Sequence, residues 1–276
     1  MPVIATNTAA NTALRYLNTN AASQSSALSK LASGSRITKA SDDAAGLAIG
    51  TQLKADVTAL STAATNSSQA SSILQIADGG LSNISDILQR LKSLATTAAS
   101  GNVTDDQRTG DLQTEWDELV SEIDAIATGT RYAGDSLLDG TSAYATGVSF
   151  LVGTTSSDTI SVTLDSATTS ALGLTSASIS TASDASAAID LIDTAIQTIT
   201  EDRASVGASE SRFNFHSENI ATSSENVSAA ESTIMDADVA SEKSTLASAD
   251  VMTQASVAAL AQATKIPQEL LQLLEG

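Results

Sequence analysis

The chain contains two prolines, Pro2 and Pro267, and none between them. Proline breaks helix interiors because it lacks the N–H the ladder needs and its ring strikes the carbonyl one turn back. Nearly the whole chain is therefore free to run as long helices, and the spacing of apolar side chains says where. Leu14, Leu17, Ala21, Gln24, Leu28 and Leu31 advance by alternating steps of three and four, with Gln24 the one polar interruption. Ala70, Leu74, Ala77, Leu81, Ile84, Leu88, Leu91, Ala95 and Ala98 obey the same rule. Such spacing places side chains along one seam of a helix that packs on another. The second run crosses Gly79 and Gly80, each costing roughly 1 kcal/mol against Ala, so either packing outweighs propensity there or the helix breaks.

A shorter seam, Leu112, Trp116, Leu119, Ile123 and Ile126, follows a Gly101-Asn102 turn signal and an acidic start at Asp105 and Asp106; it reads as a helix folded back. In the second half Ile192, Ile199, Val206, Phe213, Ile220, Val227 and Ile234 stand seven apart. A supercoil period of about 3.5 residues keeps such a set on one face, and the helix it predicts is roughly 65 Å long at about 1.5 Å per residue. Between the helical halves Val148, Phe150 and Val152, then Ile160, Val162 and Leu164, alternate around the polar stretch 154–158, the pattern of a β-hairpin with one buried face. Rings occur only at Tyr16, Trp116, Tyr132, Tyr144, Phe150, Phe213 and Phe215, too few for a thick core and suited to thin helix-on-helix packing. The predicted fold is mainly α: long antiparallel helices in a coiled-coil-like rod, with a small β-hairpin element within 137–180.

The ends differ from the middle. Residues 237–265 are rich in Ala and Ser and carry little apolar bulk, so both termini are predicted to order only when packed on copies of themselves. Residues 1–40 hold Arg15, Lys30, Arg36 and Lys39 and no acid, giving +4; residues 237–276 hold five acids and two bases, giving −3; the formal charge of the whole chain is −19. A middle this acidic disfavours nucleic acid and anionic membrane as partners. No stretch has the length and apolarity of a spanning helix, and Asn7, Thr8, Asn11 and Thr12 interrupt the place where the apolar core of a secretory signal would lie. The sequence predicts a chain without membrane insertion and without that type of export signal.

Catalytic chemistry has little to draw on. There is no cysteine and a single histidine, His216, inside the predicted long helix; nucleophile–base arrangements and zinc sites need more. Asp42-Asp43 reads as a helix start at its positive end, and Glu115, Glu118 and Glu122 as a solvated face. No phosphate loop surrounds Gly46 or Gly50, and Trp116 reads as seam filler. The expectation is no catalytic, metal or cofactor site.

Local motifs at both ends resemble those of bacterial flagellins. Leu31-Ala32-Ser33-Gly34-Ser35-Arg36-Ile37 and Asp42-Asp43-Ala44-Ala45-Gly46-Leu47-Ala48-Ile49 are similar to the N-terminal flagellin signature. Leu88-Gln89-Arg90, Leu112-Gln113 with Glu115, Tyr132-Ala133-Gly134, Val206-Gly207-Ala208, Arg212, Asp236-Ala237-Asp238, Ala261-Gln262-Ala263 and Leu273-Leu274 continue the family order. Departures are Ser211 before Arg212, where Asn is usual, Thr233 in place of a common Arg, and the ending Leu274-Glu275-Gly276, where a basic residue is usual.

The resemblance implies a compact flagellin without large outer variable domains. Its segments 1–40 and 237–276 would pair as a coiled-coil inner core, packed through Leu14, Leu17, Leu28, Leu31, Leu260, Leu270, Leu273 and Leu274; residues 41–236 would form an outer-core rod. It implies subunit contacts at Arg36, Asp42, Asp43, Arg90 and Glu115. As partners it implies copies of the same chain, an export chaperone of the flagellar type III apparatus, and the junction and cap proteins of an extracellular filament. Many flagellins are sensed by Toll-like receptor 5 through the segment matching Leu88, Gln89, Arg90 and Leu94, with the acid matching Glu115; Lys92-Ser93 here replaces the usual Arg-Glu, and Arg90 is open to a receptor or an inter-subunit reading. Two other roles share the architecture, a hook–filament junction protein and a cell-surface binding module.

Overall fold

The computed structural model describes the backbone of residues 6–275 and the side-chain surroundings of residues 6–265. In chain order the elements are α1 (Thr8–Ser33), α2 (Ala44–Ala99), α3 (Asp105–Gln107), a π-helical turn (Arg108–Leu112), α4 (Gln113–Gly129), β1 (Arg131–Tyr132), β2 (Asp135–Ser136), α5 (Ala143–Thr146), β3 (Val148–Leu151), β4 (Thr159–Val162), α6 (Ala182–Met235) and α7 (Val239–Glu275). The chain divides into two compact units, Met1–Ala55 with Asn226–Gly276, and Asp56–Glu225. The fold is mainly α, as the seams predict.

In the unit Asp56–Glu225 the predicted seam of α2 is buried at every position from Ala70 to Ala98, and the heptad face of α6 is buried from Ile192 to Ile220. Leu60 and Ala63 prolong the first seam. The next seam position, Ser67, is also buried, and its hydroxyl has no hydrogen-bond partner. Polar contacts flanking the seams set the register. Gln75 donates to Glu210 at 2.9 Å, Arg203 grips Asp78 at 2.8 and 3.3 Å, and Lys92 pairs with Asp193. Residue numbers rise on α2 as they fall on α6, so the helices are antiparallel. The same holds for α2 and the π-helical turn with α4 that follows it, joined by Arg108 to Ala98 and Arg90 to Glu115.

The turn between α2 and α3 is held by a charged side chain buried in the unit. Arg108, 6% exposed, donates to the Ala98 carbonyl at 2.6 Å and the Ser100 carbonyl at 2.8 Å, and reaches Asp105 at 2.7 Å. It thereby satisfies carbonyls that the end of α2 leaves open. Thr104 and Gln107 form a reciprocal capping box at the start of α3.

The helix does not break at its glycine pair. A Cβ on Gly80 would lie 2.5 Å from Thr130 Oγ1 and 2.9 Å from Leu138 Cδ1, whereas one on Gly79 would meet nothing within 4 Å. Gly80 is thus where the β1–β2 region leans on α2, and only Gly79 carries an uncompensated entropic cost.

The predicted hairpin is present: β3 and β4 are antiparallel, with Val148 opposite Val162 and Phe150 opposite Ile160. Ile160 and Val162 are buried, and the Phe150 ring meets Phe213 of α6 edge-on at 5.8 Å. A second, two-residue hairpin, β1–β2, turns through Ala133 and Gly134, both at positive φ. Residues 163–181 form an irregular segment, yet Leu164, Ala167, Leu172, Leu174 and Ile179 are buried. Side chains of α4 hold it: Asp124 accepts from the Thr169 N–H and hydroxyl at 2.8 and 2.7 Å, Gln113 accepts from the Ile179 N–H at 2.8 Å, and Trp116 donates to the Ala177 carbonyl at 3.2 Å. Trp116 is core filler, as its seam position predicts, with its one polar atom satisfied.

The two glycines give opposite expectations under urea unfolding. Gly79→Ala raises stability by about 0.5–1 kcal/mol; Gly80→Ala lowers it by about 1–3 kcal/mol, because the new methyl is overpacked against Thr130 and Leu138.

Candidate functional site

In the unit built from the chain ends, α1 and α7 run antiparallel. Asn7 donates to the Ala263 carbonyl at 2.9 Å, Asn20 to the Ser256 hydroxyl at 3.0 Å, Gln24 to Asp250 at 3.0 Å and Lys30 to Glu242 at 3.2 Å. Among the described residues, the positions shielded on α1 are Ala10, Ala13, Leu17, Asn20, Gln24, Ala27 and Leu31, with Lys30 beside them; those on α7 are Glu242, Leu246, Ala249, Thr253, Ser256, Leu260 and Ala263. Both sets follow the three–four spacing of a coiled coil. Small and polar residues make up most of them.

The seam expected from Leu14 to Leu31 is therefore shared between two surfaces. Leu17, Gln24 and Leu31 face α7, while Leu14, Ala21 and Leu28 lie outside it, with Leu14 45% and Leu28 55% exposed. The shift follows from chemistry: Asn7, Asn20, Gln24 and Lys30 all find partners on α7 only with α1 turned this way, and Ala13 and Ala27 then sit between the helices. Leu260 is half-buried on the α7 side. Leu270, Leu273 and Leu274 lie outside the residues with described side chains.

This pairing covers little. Among the described residues of the unit only Ala27, Ile37 and Ala249 are buried apolar side chains, whereas Leu14, Tyr16, Leu28, Ile49, Val239, Val251, Met252 and Val257 are exposed. An open groove of about 640 Å³ runs beside Leu28 and Leu246, between Lys243 and Asp250. The other unit buries dozens of apolar side chains, and its exposed large ones are Ile76, Leu151, Leu191 and Phe215. Apolar surface gains roughly 25 cal/mol per Å² on leaving water, so among the described residues the exposed side chains of α1 and α7 represent burial not yet realised.

Where α1 passes to α2 and α6 to α7, the two connectors are stitched together. Ser35 bridges Asp236, the Arg36 N–H donates to the Met235 carbonyl at 2.6 Å, and the Ala237 N–H donates to the Gly34 carbonyl at 2.9 Å. Gly34, at φ +70°, ends α1 in the left-handed conformation that lacks strain only for glycine. The Arg36 side chain is exposed. Asp42 accepts from the Thr38 and Lys39 N–H groups, each at 3.1 Å, and these donors hold its carboxyl below the ordinary carboxylate range. Asp43 caps α2 by accepting from the Gly46 N–H at 2.8 Å. Gly50 packs against Met235, whose sulfur would lie 2.4 Å from a Cβ there. Both acids of the motif thus have tasks within the chain.

Of the residues matching the receptor segment, Leu88 and Leu94 are core side chains at 0% and 4% exposure. Gln89 is exposed, and Arg90 and Glu115 form a surface ion pair whose side chains are 54% and 41% exposed. His216 is exposed on α6. Among the described residues no group of three or more His, Asp or Glu is placed to hold a metal ion, and no helix is long and apolar enough to cross a membrane.

The profile of the bacterial flagellin N-terminal helical region matches residues 4–143, and that of the C-terminal helical region matches residues 189–274. The chain belongs to the flagellin family. It is 37% identical to a flagellin of Halalkalibacterium halodurans over 275 residues, 99% of both chains, and 36% identical to a flagellin of Bacillus subtilis over 96% of this chain and 97% of the other. A flagellar filament 31.3 kDa core protein of Treponema maltophilum is 31% identical over 95% of this chain and 96% of that one. Among solved structures, Bacillus cereus flagellin superposes with a TM-score of 0.50 at 32% identity, covering 56% of this chain and 88% of that one. Flagellins are structural proteins of the flagellar filament, and this chain is a filament subunit by that membership.

Two substitutions separate a local cap from a surface pair in this flagellin. Asp43→Ala is expected to lower stability by about 1 kcal/mol in urea unfolding, and Arg90→Ala by no more than about 1 kcal/mol, since the ion pair is solvated.

Proposed function

We propose that this flagellin polymerises through α1 and α7, whose outward apolar side chains find cover on neighbouring copies and so build the inner core of the filament. The observation that carries this reading is the poverty of the α1–α7 seam beside the exposed Leu14, Leu28, Val251, Met252 and Val257. Two helices joined mainly through alanine, amides and hydroxyls gain little from each other. A second set of such helices, laid into the groove at Leu28 and Leu246, would bury what the monomer leaves wet.

Leu14, Leu17, Leu28, Leu31 and Leu260, together with Leu270, Leu273 and Leu274, are the inner-core packing set, within terminal segments 1–40 and 237–276; residues 41–236 are the outer-core domain. Arg36, on the stitched connectors, and the exposed Arg90–Glu115 pair are the polar groups placed to meet a neighbouring subunit. Asp42 and Asp43 support that surface by fixing the connector and the start of α2. The protein's role is mechanical and not enzymatic. It is secreted through the flagellar type III apparatus with an export chaperone, joins hook-associated junction and cap proteins, and works in the extracellular filament that drives swimming. Contact with Toll-like receptor 5 would draw on Gln89, Arg90 and Glu115.

Removal of residues 1–40 or 237–276 is expected to leave a soluble helical fragment that forms no filaments by electron microscopy. The finer test is Leu28→Ser: the loss of one Leu contact, about 1.5–3 kcal/mol per subunit, raises the critical concentration for polymerisation at least about tenfold, while monomer unfolding changes little. Unchanged polymerisation would remove Leu28 from the assembly surface.

A further inference from the structure

On α6, Asp202 turns a carboxylate oxygen inward. That oxygen, Oδ2, is buried and has no hydrogen-bond partner. Beside it lies a cavity of about 10 Å³, bordered by Leu81, Leu138, Leu164, Asp165 and Ser205. Asp202 is half-buried, and this one oxygen is withdrawn from water with no donor in return, which disfavours the ionised form of the carboxyl.

The charges around it sharpen the difficulty. Asp165, on the segment following β4, and Glu201, on the same helix, both act on Asp202 with like charge. Arg203 is the adjacent cation, but its guanidinium is engaged by Asp78 of α2 at 2.8 and 3.3 Å. From α2 and from the segment after β2 the cavity receives Leu81 and Leu138, which carry no charge. The charges acting on Asp202 are thus those of two carboxylates, and among the described residues no cation is seen to offset them.

We propose that Asp202, facing the like charge of Asp165, is a proton-operated clamp, which seats the segment after β4 on α6 more firmly when Asp202 binds a proton. Protonation removes the buried charge, relieves the repulsion, and turns a group that can only accept hydrogen bonds into a donor. The clamped segment carries Leu164, which is buried and donates its N–H to the Tyr144 carbonyl at 3.0 Å. Proton binding thus tightens the attachment of the β3–β4 region to the long helix.

Burial first, then Asp165 and Glu201, push the Asp202 carboxyl up to about 6 from an ordinary 3.8. The folded form therefore binds more protons than the unfolded one between these values. Its contribution to stability is fully present below the unfolded value and is lost as pH rises through about 6. Asp42, Asp139 and Asp158 have lowered values and act in the opposite direction.

The test is thermal unfolding of the full chain and of Asp202→Asn at a series of pH values from about 4.5 to about 8. The variant is expected to melt at the higher temperature near the alkaline end, with the difference shrinking through a midpoint near 6 and closing at the acid end. Asp165→Asn should give a smaller gain and move the Asp202 titration, read from its carboxyl carbon by NMR, towards acid. A difference independent of pH, a variant less stable throughout, or an Asp202 carboxyl titrating at the ordinary value of 3.8 overturns the clamp. Should Asp202→Asn fail to fold, the NMR titrations of the unmodified chain and of Asp165→Asn decide alone.

Discussion

A helix of more than fifty residues cannot satisfy an apolar stripe by itself, and this chain contains two, α2 and α6. Between Asp56 and Glu225 they cover each other: Ala70 to Ala98 on one and Ile192 to Ile220 on the other are buried with hardly a break. Everything else in that unit is arranged around this pair. Arg108 closes the end of α2 so that α4 can fold back, Gly80 gives room for the β1–β2 region, and Phe150 brings the β3–β4 hairpin against α6. The cover is thin, one side chain deep, which is why alanines fill so much of it and why few rings are needed.

Towards the chain ends the same periodicity continues with poorer material. Val227 and Ile234 occupy the heptad face of α6 but are only half-buried, and α1 and α7 meet through Ala, Asn, Gln, Thr and Ser. The backbone is as helical there as elsewhere, so the difference lies in side-chain burial. Within the unit built from the chain ends the two connectors are stitched to each other at Ser35 and Asp236. The proposed interface between copies draws on this unit, with hydrogen bonds enough to set register and apolar surface enough to reward a neighbour.

Much of this was legible in the sequence wherever a period carried it. The α2 seam, the heptads of α6 and the presence of the β3–β4 hairpin follow from steps of three and four, seven, and two, and local motifs pointed to the family. What escaped was set by partners without periodicity. The irregular segment 163–181 is held by Asp124 and Gln113, residues that read as an ordinary polar helix face. Arg108 gave no sign of burial, because its acceptors are backbone carbonyls. On α1 the stripe is wider than one seam, and the amide partners on α7, invisible from α1 alone, decide which leucines turn outward. Leu14, Leu17, Leu28 and Leu31 were legible as one set of leucines; Leu14 and Leu28 are outward and Leu17 and Leu31 inward only because of that choice.

The account rests on α1 and α7 deriving their stability from neighbouring copies, and amide hydrogen exchange measured on monomer and on polymer tests it most directly. Amides of residues 8–33 and 239–265 should exchange quickly in the monomer and become strongly protected in the polymer, while those of residues 70–98 stay protected in both. Equal protection of α1 and α7 in monomer and polymer would contradict it.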